Sequence, residues 1–99
     1  ALKKALVLAG ETARIHYNLG GAMEGLGRSR EALEHYGRAV ELDPSYAPPY
    51  AKMGALYEGQ GDGITARAHY AAFLRHWTGS ETTASAIAQR LARLPGEEK

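Results

Sequence analysis

Residues 30–46 of this chain read REALEHYGRAVELDPSY, and residues 64–80 read ITARAHYAAFLRHWTGS. The second stretch repeats the first at a spacing of 34 positions without a gap, since Ala32, His35 and Tyr36 recur as Ala66, His69 and Tyr70. Self-similarity at a fixed period of about 20–50 residues is the signature of stacked structural units. The chain is therefore built from copies of one unit, and the structure of that unit determines the fold.

The repeat extends over two whole segments, 13–46 and 47–80, in which small residues and aromatics keep the same places. The identical positions are Ala13/Ala47, Gly20/Gly54, Glu24/Glu58, Gly25/Gly59, Gly27/Gly61, Ala32/Ala66, His35/His69 and Tyr36/Tyr70.

The composition limits what the chain can be. Its 99 residues make one small domain, and helix formers such as Ala, Leu, Arg and Glu outnumber strand formers. A net charge of +1, without a contiguous basic stripe, argues against nucleic-acid binding. No apolar run is long enough to span a membrane, and the lack of cysteine excludes disulfides and thiolate metal sites.

Each segment is predicted to form two helices joined by a tight turn. Apolar residues recur at helical spacing on both sides of a glycine-rich stretch, GLGRS in the first segment and GQGDG in the second. The small Gly20 is expected to face Ala32 where the first two helices cross, and Gly54 is expected to face Ala66. Helices are predicted over roughly 12–26, 29–42, 47–60, 63–77 and 81–94.

These residues resemble the tetratricopeptide repeat, whose 34-residue pattern is W-x2-L-G-x2-Y, then A-x3-F, then P. The matching positions are His16, Leu19, Gly20, Met23, Ala32, Tyr36 and Pro44 in the first segment, and Tyr50, Met53, Gly54, Tyr57, Ala66 and Tyr70 in the second. The departures are His16 for the aromatic, Met23 for tyrosine and Thr78 for proline. The resemblance implies an all-α fold, a solenoid of antiparallel helix pairs that stack because no pair covers its apolar face alone.

The two ends of the chain are interpreted in the same register. Residues 81–94 continue it as a capping helix with a polar outer face, followed by a tail at 95–99. Residues 1–10 align with the end of the second helix of a unit, so they are expected to be the tail of a preceding repeat helix. Such a tail would leave apolar side chains uncovered, which predicts a homodimer formed through the N-terminal end, with contacts from Leu2, Leu6 and Leu8.

The resemblance implies a protein–protein interaction scaffold that binds a peptide or a partner helix on its concave face. Tyr17 is expected to anchor the partner, and Asn18 and Lys52 to hold a peptide backbone or carboxylate. The alternative is a structural segment of a larger protein that stacks through its ends. The concave residues implied for this sequence are Tyr17, Asn18, Glu24, Lys52, Glu58 and Gln89.

The sequence predicts no active site, metal site or cofactor. The glycine-rich turns do not fit a phosphate-binding loop, which needs G-x-x-x-x-G-K-[ST] after a strand. His35 and His69 would lie on neighbouring helices with axes ~8–10 Å apart, which is long for two ligands of one ion. The acidic-tail binding of chaperone-binding family members is not implied either, because only Lys52 matches their basic set and Gly21 replaces a required asparagine.

Overall fold

The computed structural model describes residues 2–94, with side chains from residue 8 onward, and this part of the chain is a stack of α-helices. Each helix packs against the next one along the chain, most extensively in the pairs α1–α2 and α3–α4. The stack measures 48 × 29 × 25 Å, and the expected all-α repeat fold is confirmed. The helices are α1 (Leu2–Gly25), α2 (Ser29–Leu42), α3 (Pro48–Gly59), α4 (Gly63–His76) and α5 (Glu81–Arg93).

The turn inside each helix pair is built in the same way in both repeats. Gly27 (φ 79°) and Gly61 (φ 86°) adopt the left-handed backbone that glycine reaches without strain. The amide of the following residue then bonds back across the turn and closes the preceding helix. These hydrogen bonds run from Arg28 N to Met23 O and from Asp62 N to Tyr57 O, each at 2.9 Å.

Helix α1 is longer than the sequence pattern predicts. It begins at Leu2 rather than near residue 12, so residues 2–10 extend α1 and are not the tail of a separate preceding helix. Gly10 lies inside the continuous helix, where a single glycine costs only about 1 kcal/mol and no proline follows it. The Thr12 hydroxyl donates to the Leu8 carbonyl oxygen at 2.7 Å within the continuous helix. The other four helices begin and end within one residue of their predicted bounds.

Each helix pair crosses where a glycine faces a tyrosine ring. A Cβ atom added to Gly20 would lie 2.6 Å from Cε1 of Tyr36, and one added to Gly54 would lie 2.6 Å from Cε1 of Tyr70. Both tyrosines are completely buried. The sequence analysis placed Ala32 and Ala66 opposite these glycines, whereas the atoms nearest to each glycine's Cβ position belong to the tyrosine one turn further along the second helix.

We predict that Gly20→Ala and Gly54→Ala each lower the free energy of unfolding by about 1–3 kcal/mol, because the added methyl group must displace a buried ring. Gly37, within α2, has no atom within 4 Å of the corresponding Cβ position and serves as the matched control. Gly37→Ala should raise stability by roughly 0.5–1 kcal/mol through helix propensity. Urea denaturation compares the three variants, and the same sign at Gly20 and Gly37 would contradict the contact.

Candidate functional site

The two buried tyrosines carry their hydroxyl groups to a glutamate on the first helix of each pair. The Tyr36 hydroxyl donates to Oε1 of Glu24 at 2.6 Å, and the Tyr70 hydroxyl donates to Oε1 of Glu58 at 2.8 Å. Burial, followed by the hydrogen bond to the glutamate, raises the pKa of Tyr36 well above its ordinary value and that of Tyr70 to about 12. Both phenols therefore stay protonated at neutral pH and hold the two glutamates in place.

Glu58 has a second partner, which comes from α5. Arg90 Nη2 lies 3.7 Å from Oε1 of Glu58, and the Arg90 guanidinium carbon lies 5.9 Å from the centre of the Tyr70 ring. Arg67 of α4 donates through Nη1 to the Leu91 carbonyl oxygen at 3.2 Å, which ties the end of α5 to the second helix pair. The negative charge of Glu58 is thus balanced within the chain.

A cavity of about 260 Å³ opens where α1, α3, α4 and α5 meet. It is smaller than the roughly 300–1,000 Å³ of sites that enclose a small molecule. Among its described lining residues, Lys52 alone carries a charge. The cavity is lined by Tyr17, Pro48, Ala51, Lys52, Phe73, Trp77, Thr83 and Ile87.

Neighbouring groups fix the aromatic walls of this cavity. Tyr17 packs edge-on against Tyr46, with ring centres 5.8 Å apart, and burial raises the pKa of Tyr17 above its ordinary value. Trp77 stacks on Phe73 with ring centres 5.0 Å apart, and its indole N–H donates to the Ser80 carbonyl oxygen at 3.0 Å. These contacts hold the aromatic side chains of the cavity wall in place.

A second, more polar recess of about 470 Å³ runs along α5 and is lined by Glu81, Thr82, Ser85, Ala86 and Gln89. The two recesses share α5, since Thr83 and Ile87 line the first while their sequence neighbours Thr82 and Ala86 line the second.

The structure places the six residues expected on the concave face in different settings. Some line a recess, some hold a tyrosine hydroxyl, and one is exposed outside both recesses. Tyr17 and Lys52 line the cavity, Gln89 lines the polar recess, Glu24 and Glu58 accept from tyrosines, and Asn18 is exposed on α1.

The sequence analysis missed the part of the cavity wall that comes from outside α1 and α3. Phe73, Trp77 and Ile87 come from α4, its C-terminal end and the interior side of α5, whereas the family's groove positions lie on the first helix of each pair. The available signal was Trp77, a large aromatic directly after a helix, where solvent exposure alone is a poor explanation.

The histidines form a ring pair inside the first repeat. Nδ1 of His16 lies 3.1 Å from Nδ1 of His35 with ring centres 5.3 Å apart, so the rings meet edge to edge and one Nδ1–H donates to the other ring. The same place in the second repeat holds Tyr50 and His69, with ring centres 6.4 Å apart. Burial, and then the charges of His35 and Arg38, lower the pKa of His16, and burial lowers the pKa of His69.

Among the described residues, no three His, Cys, Asp or Glu side chains lie close enough together to hold a metal ion. Over the same range, no helix combines the length and the apolar character that crossing a membrane requires.

We predict that the fold loses stability as the pH falls from about 7.5 to about 5.5, through His16 and His69. In the unfolded chain these two histidines take up protons at the ordinary pKa of about 6.5, whereas in the folded chain their lowered pKa values delay protonation to lower pH, so acid favours unfolding across that interval. His16→Tyr gives position 16 the residue that the second repeat has at Tyr50. It should remove the part of the pH dependence of stability that His16 contributes. Thermal unfolding over a pH series measures this, and an unchanged pH dependence in His16→Tyr would contradict it.

Known proteins resemble this chain over about two thirds of its length. A family model described as TPR repeat, for tetratricopeptide repeat, matches residues 26–61, from the end of α1 to the turn after α3. The Hsp70-Hsp90 organizing protein of Triticum aestivum is 33% identical over 66 residues, which cover 67% of this chain. The aligned region spans only 11% of that relative's length.

Tetratricopeptide repeats generally mediate protein–protein interactions, and proteins that carry them are generally non-catalytic interaction modules. Three observations agree here: the sequence period of 34 residues, the helix pairs crossing at a glycine and a tyrosine, and the matches to known proteins. The chain belongs to the tetratricopeptide-repeat proteins.

Proposed function

We propose that the chain binds an extended segment of a protein partner on its concave face. One apolar side chain of the partner enters the cavity between α1, α3, α4 and α5, and the adjoining backbone follows α5. The observation that carries this proposal is the cavity itself, which is largely apolar and bordered by a single cation.

The anchor position is the apolar part of the cavity. Tyr17 and Trp77 are already held by neighbouring groups, so binding orders few side chains of this chain, and that part of the entropic cost is small. A leucine-sized or aromatic side chain of the partner would replace water against Ala51 and Ile87 and supply most of the binding free energy.

Lys52 sets the charge of the binding surface. It is exposed, and it takes part in none of the ion pairs found among the described residues. The nearby carboxylates on the first helices, Glu24 and Glu58, are occupied by tyrosine hydroxyls, and Glu58 also by Arg90. The rim of the cavity therefore favours a partner with a carboxylate next to its apolar anchor.

The polar recess along α5 suits the partner's backbone. Gln89 offers both a donor and an acceptor, and Thr82 and Ser85 offer hydroxyl groups on the same side of the helix. Asn18, exposed on α1, adds an amide at the other end of the surface. Tyr17, Asn18, Lys52 and Gln89 are thus the contact residues of the proposed site, while Glu24 and Glu58 position it.

We predict that peptides selected on this chain from a random display library carry an apolar residue beside Asp or Glu and occupy the cavity. Ala51→Leu, which fills the cavity, should weaken their binding by about 30-fold or more, the loss typical of an anchor position. Lys52→Glu should weaken it by about 10-fold and reduce its salt dependence. Isothermal titration of the selected peptides against each variant measures both effects.

Matched controls lie on the outer helices. Ala68→Leu on α4 and Arg30→Glu on α2 make the same changes at exposed positions that line neither recess, and they should leave peptide affinity unchanged. Selected peptides that bind Ala51→Leu and Lys52→Glu as tightly as the original chain would overturn the proposed site. So would a selection in which no recovered peptide depends on the cavity.

A further inference from the structure

A face of α3 that is covered by α2 has an uncovered counterpart on α1. Met53 of α3 is 4% exposed and packs with Ala32 and Tyr36 of α2. The residue 34 positions earlier, Leu19 on α1, is 39% exposed. Pro49 is fully buried on the same helix as Met53, while its counterpart Ile15 is 57% exposed. Among the described residues, no helix occupies the place on α1 that α2 occupies on α3.

The uncovered residues form a regular apolar seam along α1. Leu8 is 53% exposed and Leu26, just after the helix end, is 67% exposed, and both lie in line with Ile15 and Leu19. Successive members are alternately four and three residues apart, the spacing that keeps one face of a helix against another helix. The α1 seam consists of Leu8, Thr12, Ile15, Leu19, Ala22 and Leu26.

The α1 seam is symmetric about its centre, which is the property that a two-fold contact requires. Turning a second α1 helix antiparallel about residue 17 sets Leu8 against Leu26 of the other copy and Ile15 against its Leu19. The two smaller members, Thr12 and Ala22, then also face each other. Large side chains meet large ones, and small meet small, along the whole seam.

Charges beside the seam permit this pairing. In the antiparallel arrangement Glu11 approaches Gly25 of the second copy, and Asn18 approaches Asn18, so no like charges meet across the interface. The other end of the stack does not offer a competing surface. The exposed residues of α5 are mostly polar, and its exposed apolar residues are the small Ala86, Ala88 and Ala92, so a head-to-tail contact would meet the α1 seam with no large apolar side chain from α5.

We propose that the α1 seam is a self-association surface on which α1 of a second copy packs antiparallel, giving a two-fold dimer. Leu8 belongs both to this seam and to the set of leucines expected from the sequence to self-associate. The side chains of the other two, Leu2 and Leu6, lie outside the described residues. The seam includes none of the residues that line the cavity, although Asn18, a contact residue of the proposed peptide site, borders it.

Sedimentation equilibrium of the 99-residue chain tests the proposal. A dimer should be populated below about 1 mM, and Ile15→Lys with Leu19→Lys should weaken it at least ~30-fold, because each charged group would be placed in the apolar seam. Ile64→Lys is the matched control, since Ile64 is 55% exposed on α4, and it should leave the dimer intact. Circular dichroism confirms that each variant folds.

A spin label beside the seam gives a second, distance-based readout. The chain has no cysteine, so a single label can be attached at Asn18→Cys or at Arg93→Cys. Helix axes in contact are about 8–10 Å apart, so dipolar coupling should be strong between labels at 18 and weaker between labels at 93. A monomer at about 1 mM, a dimer unaffected by Ile15→Lys with Leu19→Lys, or stronger coupling at 93 than at 18 would each overturn the proposal.

Discussion

The contact between a glycine on the first helix and a tyrosine ring on the second governs this structure. It occurs at Gly20 and Tyr36 and again at Gly54 and Tyr70, with the same distance of 2.6 Å from the glycine's Cβ position to the ring. Because glycine has no side chain, the ring packs directly against the backbone of the opposite helix, and the helices cross closely. The same contact delivers each tyrosine hydroxyl to a glutamate of the first helix, so one interaction sets both the packing and the polar groups of the concave side.

The period of 34 residues predicted the fold and four of the helices closely, because apolar spacing and the glycine turns at 27 and 61 are local signals. The start of α1 was missed because residues 1–10 match the end of a second helix in the register of the repeat. In the structure residues 2–10, including Gly10, belong to α1 instead. The contact between Gly20 and the Tyr36 ring was missed for a different reason. Helical spacing tells which residues share a face, but the reach of a tyrosine side chain decides which of them covers the glycine.

The candidate site shows the same limit. Tyr17 and Lys52 were predictable because the resemblance to the family assigns groove positions on first helices. Phe73, Trp77 and Ile87 were not, because their place in the wall depends on how α4 and α5 pack after the second repeat ends. The stacking direction also accounts for the α1 seam. The second repeat buries one face of α3 against α2, the second helix of the first repeat. On α1 the corresponding face meets no helix among the described residues.

The two proposed surfaces therefore follow from one architecture. The polar residues of α5 line the recess that includes Gln89, while the exposed apolar residues of α1 at the opposite end of the stack form the seam proposed to pair with a second copy. Neither proposed surface includes the glycine–tyrosine contacts, which are buried inside each helix pair. These contacts hold both surfaces in position.

A double-mutant cycle between Gly20→Ala and Tyr36→Leu tests the central contact most directly. If the ring is the reason that residue 20 must be glycine, the destabilisation caused by Gly20→Ala should disappear or change sign once Tyr36 is replaced. The coupling free energy should then exceed about 1 kcal/mol in urea denaturation. An equal loss of stability from Gly20→Ala with either residue at position 36 would contradict the account.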